Sequence, residues 1–367
     1  MVNRPRGNAA GAAWLDSLSP WPREFGLEGM RALLAELGDP QDAYPAVHVV
    51  GTNGKSTATV TIEQLLLSEG LSVGSTISPH VADWSERIRL DGAQADFEDA
   101  VGRVRPAAER LDSTQFEIVT AAALTAFAEA GVDVAVVEAG LGGRLDATNV
   151  LRTRVVLLTN VGLEHTDVLG DTLEEIAQEK LAVAPEDAIV VLPYETYAHL
   201  VPGRELRIGG ACEAAGAFVG HPITATPNVS LPGRLEQRDG EIRDGAHNPD
   251  GARYLVERLC GSEPQGAQLA YTLVVSILGD KDADAMLREL RRIGSRLVAT
   301  TSSSARALPA GDLAEIAQRH FQHVEVVEDP SDALTRGHEL GEPVLVTGSL
   351  YLLGDIAQRE RRAAWRG

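Results

Sequence analysis

Short aliphatic and β-branched runs alternate with amphipathic stretches along most of this 367-residue chain. Ala46–Val50, Val132–Val137, Val155–Thr159 and Ala188–Leu192 carry few polar positions, as strands buried on both faces do. Lys55–Ser68, Phe116–Ala130 and Thr172–Val183 lie between them and have the length and periodicity of helices. This alternation predicts an α/β, doubly wound, mostly parallel sheet. The stretch from 193 to 231 differs. Pro202, Gly203, Gly209, Gly210, Gly216, Gly220, Pro222 and Pro227 break it up, so it reads as irregular structure or a linker.

Beyond that stretch the alternation resumes. Helix Asp250–Leu259, strand Leu269–Ser276, helix Ala283–Arg292 and strand Ser295–Thr300 are followed by helix Ala310–Arg319 and strand Val324–Val327. Helix Asp332–Leu340, strand Pro343–Thr347 and helix Tyr351–Arg359 complete the series. Two domains are expected, residues 1–230 and a smaller α/β domain over residues 231–367.

Composition narrows the function. A net charge of −20 argues against a nucleic-acid surface. No apolar run is long enough to span a membrane. Cys212 and Cys260 cannot build a disulfide framework and lack metal-site spacing, which fits a reduced cytoplasm. Met1–Ala13 has no apolar core of signal-peptide length and reads as a frayed terminus.

The sharpest local signal is His48-Val-Val-Gly51-Thr52-Asn53-Gly54-Lys55-Ser56-Thr57. A buried strand ends, glycines turn the chain, and a helix begins. That geometry aims backbone N–H groups and a positive helix end at a phosphate. Lys55 is then placed to bridge the β- and γ-phosphates, with Ser56 or Thr57 as a Mg²⁺ ligand. The strict P-loop pattern fails at its first glycine, where Val49 stands. The bland alternative is an ordinary strand–turn–helix with a surface lysine.

Gly51-Thr-Asn-Gly-Lys55 resembles the phosphate loop of the Mur ligase superfamily, and further segments are similar to its folylpolyglutamate synthase/dihydrofolate synthase branch. They are Phe25-Gly-Leu27, Leu37-Gly-Asp-Pro-Gln41, Ser78-Pro-His80, Ser85-Glu-Arg-Ile-Arg89 and Thr114-Gln-Phe-Glu117. Glu138-Ala-Gly-Leu-Gly-Gly-Arg-Leu-Asp-Ala-Thr-Asn149 is nearly diagnostic alone. Thr159–Asp167, Glu179-Lys180, Pro232-Gly-Arg234, Asp244-Gly-Ala-His-Asn-Pro249, Asp280-Lys-Asp282 and Gly348-Ser-Leu-Tyr351 follow in order. The resemblance implies a P-loop-containing, mostly parallel sheet domain for ATP and folate, followed by a smaller Rossmann-like α/β ligase domain.

It also implies roles. Thr52, Asn53, Gly54, Lys55, Ser56 and Thr57 would hold ATP from the first domain, and Arg234 and Asp244 from across an interdomain cleft. Ser78, Glu138 and His165 would hold two Mg²⁺ ions, Thr57 being a further candidate. The lysine matching Lys180 is carbamylated in the family; the plain alternative is a solvated lysine paired with Glu174, Glu175 or Glu179. Asp244 would accept from the ribose or organise His247 and Asn248 near the phosphates, while Asn248 and Pro249 also read as a helix cap and first position. Lys55, His165, Lys180 and His247 are the candidate catalytic residues. Thr114, Leu145, Asp146 and Ala147 would line the pterin–benzoate acceptor, with Phe25, Glu24 and Arg23 as weaker candidates and Trp84 as either contact or loop anchor. Lys281, Asp282, Ser349 and Tyr351 would lie on the glutamate side. Asp167 and Asp171 read as capping or loop carboxylates.

The implied reaction activates a dihydropteroate or folate carboxylate by phosphoryl transfer from ATP, and the α-amine of L-glutamate attacks the acyl phosphate. A monomer in the cytoplasm is the family expectation. One departure stands out: only the 53 residues 181–233 separate Lys180 from Arg234, where the family has a longer stretch supplying an adenine-binding asparagine. Asn228 is not in a matching context, and Glu213–Val219 reads as the tail of a lost helix. Glu236–Arg243 is polar where the family has an apolar strand, which reads as a lost strand and an exposed sheet edge. Two rivals accompany the ligase reading: a degenerate homologue that binds without turnover, and a Mur-type ligase acting on a cell-wall nucleotide peptide.

Overall fold

The computed structural model describes residues 10–19, 26–261 and 271–364, so Arg23, Glu24 and Phe25 lie outside the described residues. The chain divides into two compact units, Met1–Val229 and Ser230–Gly367. The first is built on eight strands: β1 (Ala46–Val50), β2 (Val73–Thr76), β3 (Ile88–Leu90), β4 (Ala93–Gln94), β5 (Val134–Glu138), β6 (Thr153–Leu158), β7 (Ile189–Leu192) and β8 (Glu205–Ile208). Their order is β4-β3-β2-β5-β1-β6-β7-β8. β2, β5, β1, β6, β7 and β8 run parallel, while β3 and β4 fold back antiparallel at one edge.

Period-two alternation of β1 decides what packs where. Val47 and Val49 join a core with Ile62, Leu65 and Leu66 of helix Lys55–Ser68 and with Ala214, Ala215 and Phe218. Ala46 faces the opposite core with Ile118, Leu124 and Phe127 of helix Gln115–Ala130. Both faces of the sheet are therefore covered, as the continuous apolar runs require.

Two sequence expectations fail here. The first part of 193–231 is regular: a 3₁₀ segment Glu195–Leu200, strand β8 and helix Ala211–Val219 occupy it, while residues 222–230 are irregular, as expected. β8 is an edge strand with Glu205, Leu206 and Ile208 exposed, so it carries no buried alternation to read. The helix buries Ala214, Ala215, Ala217 and Phe218 and stops at Gly220, whose φ of +85° suits a left-handed cap. The Glu213–Val219 remnant is therefore most of a complete helix, shortened in the sequence reading by its small residues and flanking glycines. Of the terminus expected to be frayed, Ala10–Ala13 is helical, within helix Ala10–Asp16, and residues 1–9 lie outside the described residues.

The second unit carries β9 (Glu236–Arg238), β10 (Glu241–Arg243), β11 (Thr272–Val275), β12 (Arg296–Ala299), β13 (His323–Val326) and β14 (Val344–Thr347), in the order β13-β12-β11-β14-β10-β9. All but β9 run parallel. The expected lost strand is present. β10 pairs with β14 on one side and β9 on the other, although its sequence is Glu-Ile-Arg. The Arg243 guanidinium bonds Glu241 at 2.6 Å and also pairs with Glu360, with 3% of the Arg243 and 4% of the Glu241 side chain exposed. His338 Nε2 lies 3.2 Å from the other Glu241 oxygen. A strand can therefore be polar and buried, provided its charges are paired.

Arg243→Ala would leave Glu241 buried and short of its counter-charge. The expected cost is roughly 3–5 kcal/mol, whereas replacing both residues by leucine should be near neutral. Urea unfolding of the two variants checks this, and equal losses would refute it.

Candidate active site

The phosphate loop leaves β1 at Val50 and enters helix Lys55–Ser68. Gly51 has φ +147°, and a Cβ there would sit 1.9 Å from Thr159 Oγ1, so only glycine fits. The strand-end residues of β6 brace the loop from the side. Asn53 N–H donates to Asn160 Oδ1 at 2.8 Å, Thr159 Oγ1 donates to the Asn53 carbonyl at 2.8 Å, and Thr52 N–H donates to the Asn160 carbonyl at 3.1 Å. The helical ladder opens with Ala58 N–H on the Gly54 carbonyl, so the preceding amides belong to a first turn without intrahelical acceptors. Lys55 Nζ donates to the Thr52 carbonyl at 3.2 Å and so folds back over the loop. Ser56 is buried and Thr57 exposed.

Glu138 ends β5 beside this loop, in register with Val49 of β1, and is 3% exposed. Ser78, two residues beyond β2, donates its N–H to Glu138 Oε2 at 2.9 Å. The candidate serine and carboxylate therefore meet at the carboxyl edge of adjacent parallel strands, where α/β sheets bind ligands. His165 has a left-handed φ of +52° at the start of the short helix Thr166–Leu169, and its side chain is exposed. Among the described residues no three His, Cys, Asp or Glu side chains form a metal cage.

Lys180 overturns its plain alternative. Its candidate partners are engaged elsewhere: Glu174 with His199, Glu175 in a capping box with Thr172, and Glu179 with Arg144. Lys180 itself is buried and donates to the Gly51 carbonyl at 3.0 Å. Burial foremost, and then the Lys55 charge, push its ammonium down to about 7, against the pull of Glu164, Asp146 and Glu179. Glu164 is a neighbour the sequence reading gave no role. Gly143 is required here as well, because a Cβ would meet the Lys180 carbonyl oxygen at 2.5 Å.

The acceptor candidates separate. Leu145 is exposed and Ala147 half-buried, but Asp146 turns inward. It accepts from Leu141 N–H at 2.7 Å and from the Thr148 N–H at 3.0 Å, and burial raises its pKa despite these bonds. Asp146 thus shapes the loop that carries Leu145 and Ala147. Thr114 caps helix Gln115–Ala130 in a reciprocal capping box with Glu117. Trp84 is an anchor: it is buried and donates Nε1–H to Asp16 at 3.0 Å.

In the second unit, Asp244 follows β10 and accepts from the Leu235 and Ala246 N–H groups, both at 2.9 Å. Desolvation raises its pKa, opposed by these bonds and by Arg234. Arg234 and Asp244 are therefore neighbours. His247 Nδ1 lies 2.9 Å from the Gly245 carbonyl. Asn248 Oδ1 accepts from Gly251 N–H at 2.7 Å and Pro249 opens the helix, as the sequence predicts. Lys281 Nζ lies 3.4 Å from Asp280, Asp282 caps the helix Ala283–Leu290, Ser349 Oγ accepts from Tyr351 N–H, and Tyr351 is exposed.

Residues 49–198 match the Mur ligase middle domain, and residues 235–359 match the dihydrofolate synthetase C-terminal domain. Dihydrofolate synthase/folylpolyglutamate synthase of Bacillus subtilis is 30% identical over 95% of this chain and 97% of its own length. The chain belongs to the dihydrofolate synthase/folylpolyglutamate synthase family. Mycobacterium tuberculosis folylpolyglutamate synthase complexed with ADP and AMPPCP superposes with a TM-score of 0.83 at 28% identity, over 94% of this chain and 96% of that one. The Escherichia coli FolC complex with DHPP and ADP gives 0.85 at 25% identity, over 99% and 100%. A Yersinia pestis bifunctional synthase complexed with AMPPNP and Mn ion gives 0.81 at 28%, over 100% of both. The alignment to the Bacillus subtilis protein runs over 431 positions, more than this chain contains, so this chain has gaps relative to that protein. No helix among the described residues is long and apolar enough to cross a membrane.

Between about pH 7 and 10.5 the unfolded chain holds a proton on Lys180 that the folded chain releases, so this residue makes stability rise with pH across that window. Below it both states hold the proton, and burying the charge costs its full amount. Lys180→Met is expected to flatten the rise and to lift the urea midpoint at about pH 6. A pH profile identical to wild type would show that the amine is solvated.

Proposed function

We propose that this protein joins L-glutamate to the carboxylate of dihydropteroate or a folate at the expense of ATP. One observation carries the reading. A phosphate loop, a buried Glu138 bonded to the Ser78 backbone, and a buried low-pKa Lys180 bonded to the loop's own Gly51 converge on one sheet edge. Packing alone gives no reason to gather these groups.

The first unit then works as follows. Backbone N–H groups of Gly54–Thr57 and the Lys55 ammonium hold the ATP phosphates, whose charge the −20 chain would otherwise repel. Leu145 and Ala147 line the acceptor, and Thr114 and Asp146 hold the shape of its walls. The carboxylate attacks the γ-phosphorus, ADP departs, and an acyl phosphate forms; the glutamate amine then attacks the acyl carbon and inorganic phosphate leaves. In the second unit, Arg234 offers a planar donor fork of the kind that binds phosphate, and Asp244 fixes the turn that carries it.

The donor set suits a hard divalent cation. Glu138, Ser78 and Thr57 offer oxygens of the kind Mg²⁺ takes together with phosphate and water, and His165 with a carbamylated Lys180 would hold a second ion. Bound ions would neutralise phosphate charge and polarise the transferring phosphoryl group. Lys180 fits carbamylation because its buried amine is substantially neutral near pH 7, the form that adds CO₂.

Glutamate-dependent ADP release with dihydropteroate or tetrahydrofolate as acceptor is the expected result, and its absence with both would sink this reading. Lys55→Ala should abolish turnover. Adding ¹³C-bicarbonate should give a carbamate carbon resonance that Lys180→Ala lacks; the same signal in that variant would remove Lys180 from the role.

A further inference from the structure

His48 has no place in the reaction just described, yet its setting is unusual. It lies on β1, three residues before Gly51, fully buried, between Val137 of β5 and Val156 of β6. Its Nε2 is 2.8 Å from Thr148 Oγ1, and that hydroxyl donates its single proton to Asp146 Oδ1. The Thr148 oxygen must therefore accept, so the His48 hydrogen sits on Nε2 and Nδ1 is a bare acceptor. That Nδ1 is buried without a hydrogen-bond partner. Burial keeps the ring neutral, down to about 3. An aliphatic residue here would avoid an unsatisfied polar atom, so stability alone is a poor reason for a histidine.

The chain of bonds continues beyond Asp146, whose second oxygen accepts from Leu141 N–H at 2.7 Å. One unbroken line thus runs from the strand that launches the phosphate loop to the 141–149 loop that carries Leu145 and Ala147. We infer that His48, through Thr148 and Asp146, is a positioning residue that sets the acceptor loop against the phosphate loop. This rests on the function proposed above, because only a phosphoryl transfer from ATP to an acceptor needs those two loops in fixed register. A small displacement between reacting groups is costly: about 100-fold for a shift of about 1 Å.

The test compares wild type with His48→Phe, His48→Gln and Thr148→Val. Gln keeps a donor where Nε2 stands; Phe and Val break the line. We expect His48→Phe and Thr148→Val to lower kcat/KM for dihydropteroate about 10- to 100-fold, with KM for ATP within about twofold of wild type, and His48→Gln to restore most of the loss. In parallel, hydrogen exchange of the 141–149 amides should quicken in the two broken variants and not in His48→Gln, while the Gly51–Thr57 amides keep their rates. Should His48→Phe fail to fold, Thr148→Val carries the same readings. An unchanged kcat/KM for dihydropteroate, a KM for ATP that rises in step with its loss, or Gln no better than Phe would overturn the inference. A wild-type chain without glutamate-dependent ADP release would fail the function proposed above instead, and the exchange rates would then decide alone whether His48 fixes the loop.

Discussion

A chain of net charge −20 must gather anions, and every part of the first unit's sheet edge answers to that constraint. Backbone amides do much of the work because they add no charge that has to be balanced elsewhere. Side-chain cations are rationed. Thirty of the 33 basic residues are arginine, and the three lysines are Lys55, Lys180 and Lys281. Two of those three stand at the phosphate loop, close enough that Lys55 helps drive the Lys180 proton off. Arginine remains charged under any such pressure, so a site that needs a deprotonatable amine has to use lysine.

Strand order makes this edge. β1 sits between β5 and β6 in a wholly parallel segment, so the loops leaving all three strands open on one side. The loop after β1 is the proposed phosphate loop, the end of β5 supplies Glu138, and Thr159 and Asn160 after β6 buttress that loop. Helix Leu173–Leu181 then delivers Lys180 onto the Gly51 carbonyl. Antiparallel pairing of these strands would send neighbouring loops to opposite edges and disperse the set.

Much of the framework was legible in the sequence, because where apolar runs meet glycine turns the physics is local. β1 and helix Lys55–Ser68 fall on the residues their patterns mark. β8 was not legible, since an edge strand with three exposed positions shows no buried period and takes its conformation from pairing with β7. Helix Ala211–Val219 was legible only as the remnant Glu213–Val219, because the glycines that cap it read as breakers. In the site, the phosphate loop could be read from its motif, whereas the burial of Lys180 could not. Glu174, Glu175 and Glu179 surround Lys180 in sequence, and only the fold shows that each bonds elsewhere.

The misreading of Glu236–Arg243 has one cause: hydrophobic patterning treats a polar residue as a solvent-facing one. Three buried networks break that rule. Glu241 and Arg243 turn a polar tripeptide into an internal strand, Glu63 joins the phosphate-loop helix to Ser75 and Arg89, and His48 reaches Asp146 through Thr148. Each spans two or more elements, and each is favourable only in one register, because a slip would leave a charge or a donor buried without its partner. Apolar packing tolerates small slides; a buried hydrogen bond with a fixed partner does not. These networks therefore fix where the elements stop sliding, and the phosphate-loop helix and strand are tied down by two of the three.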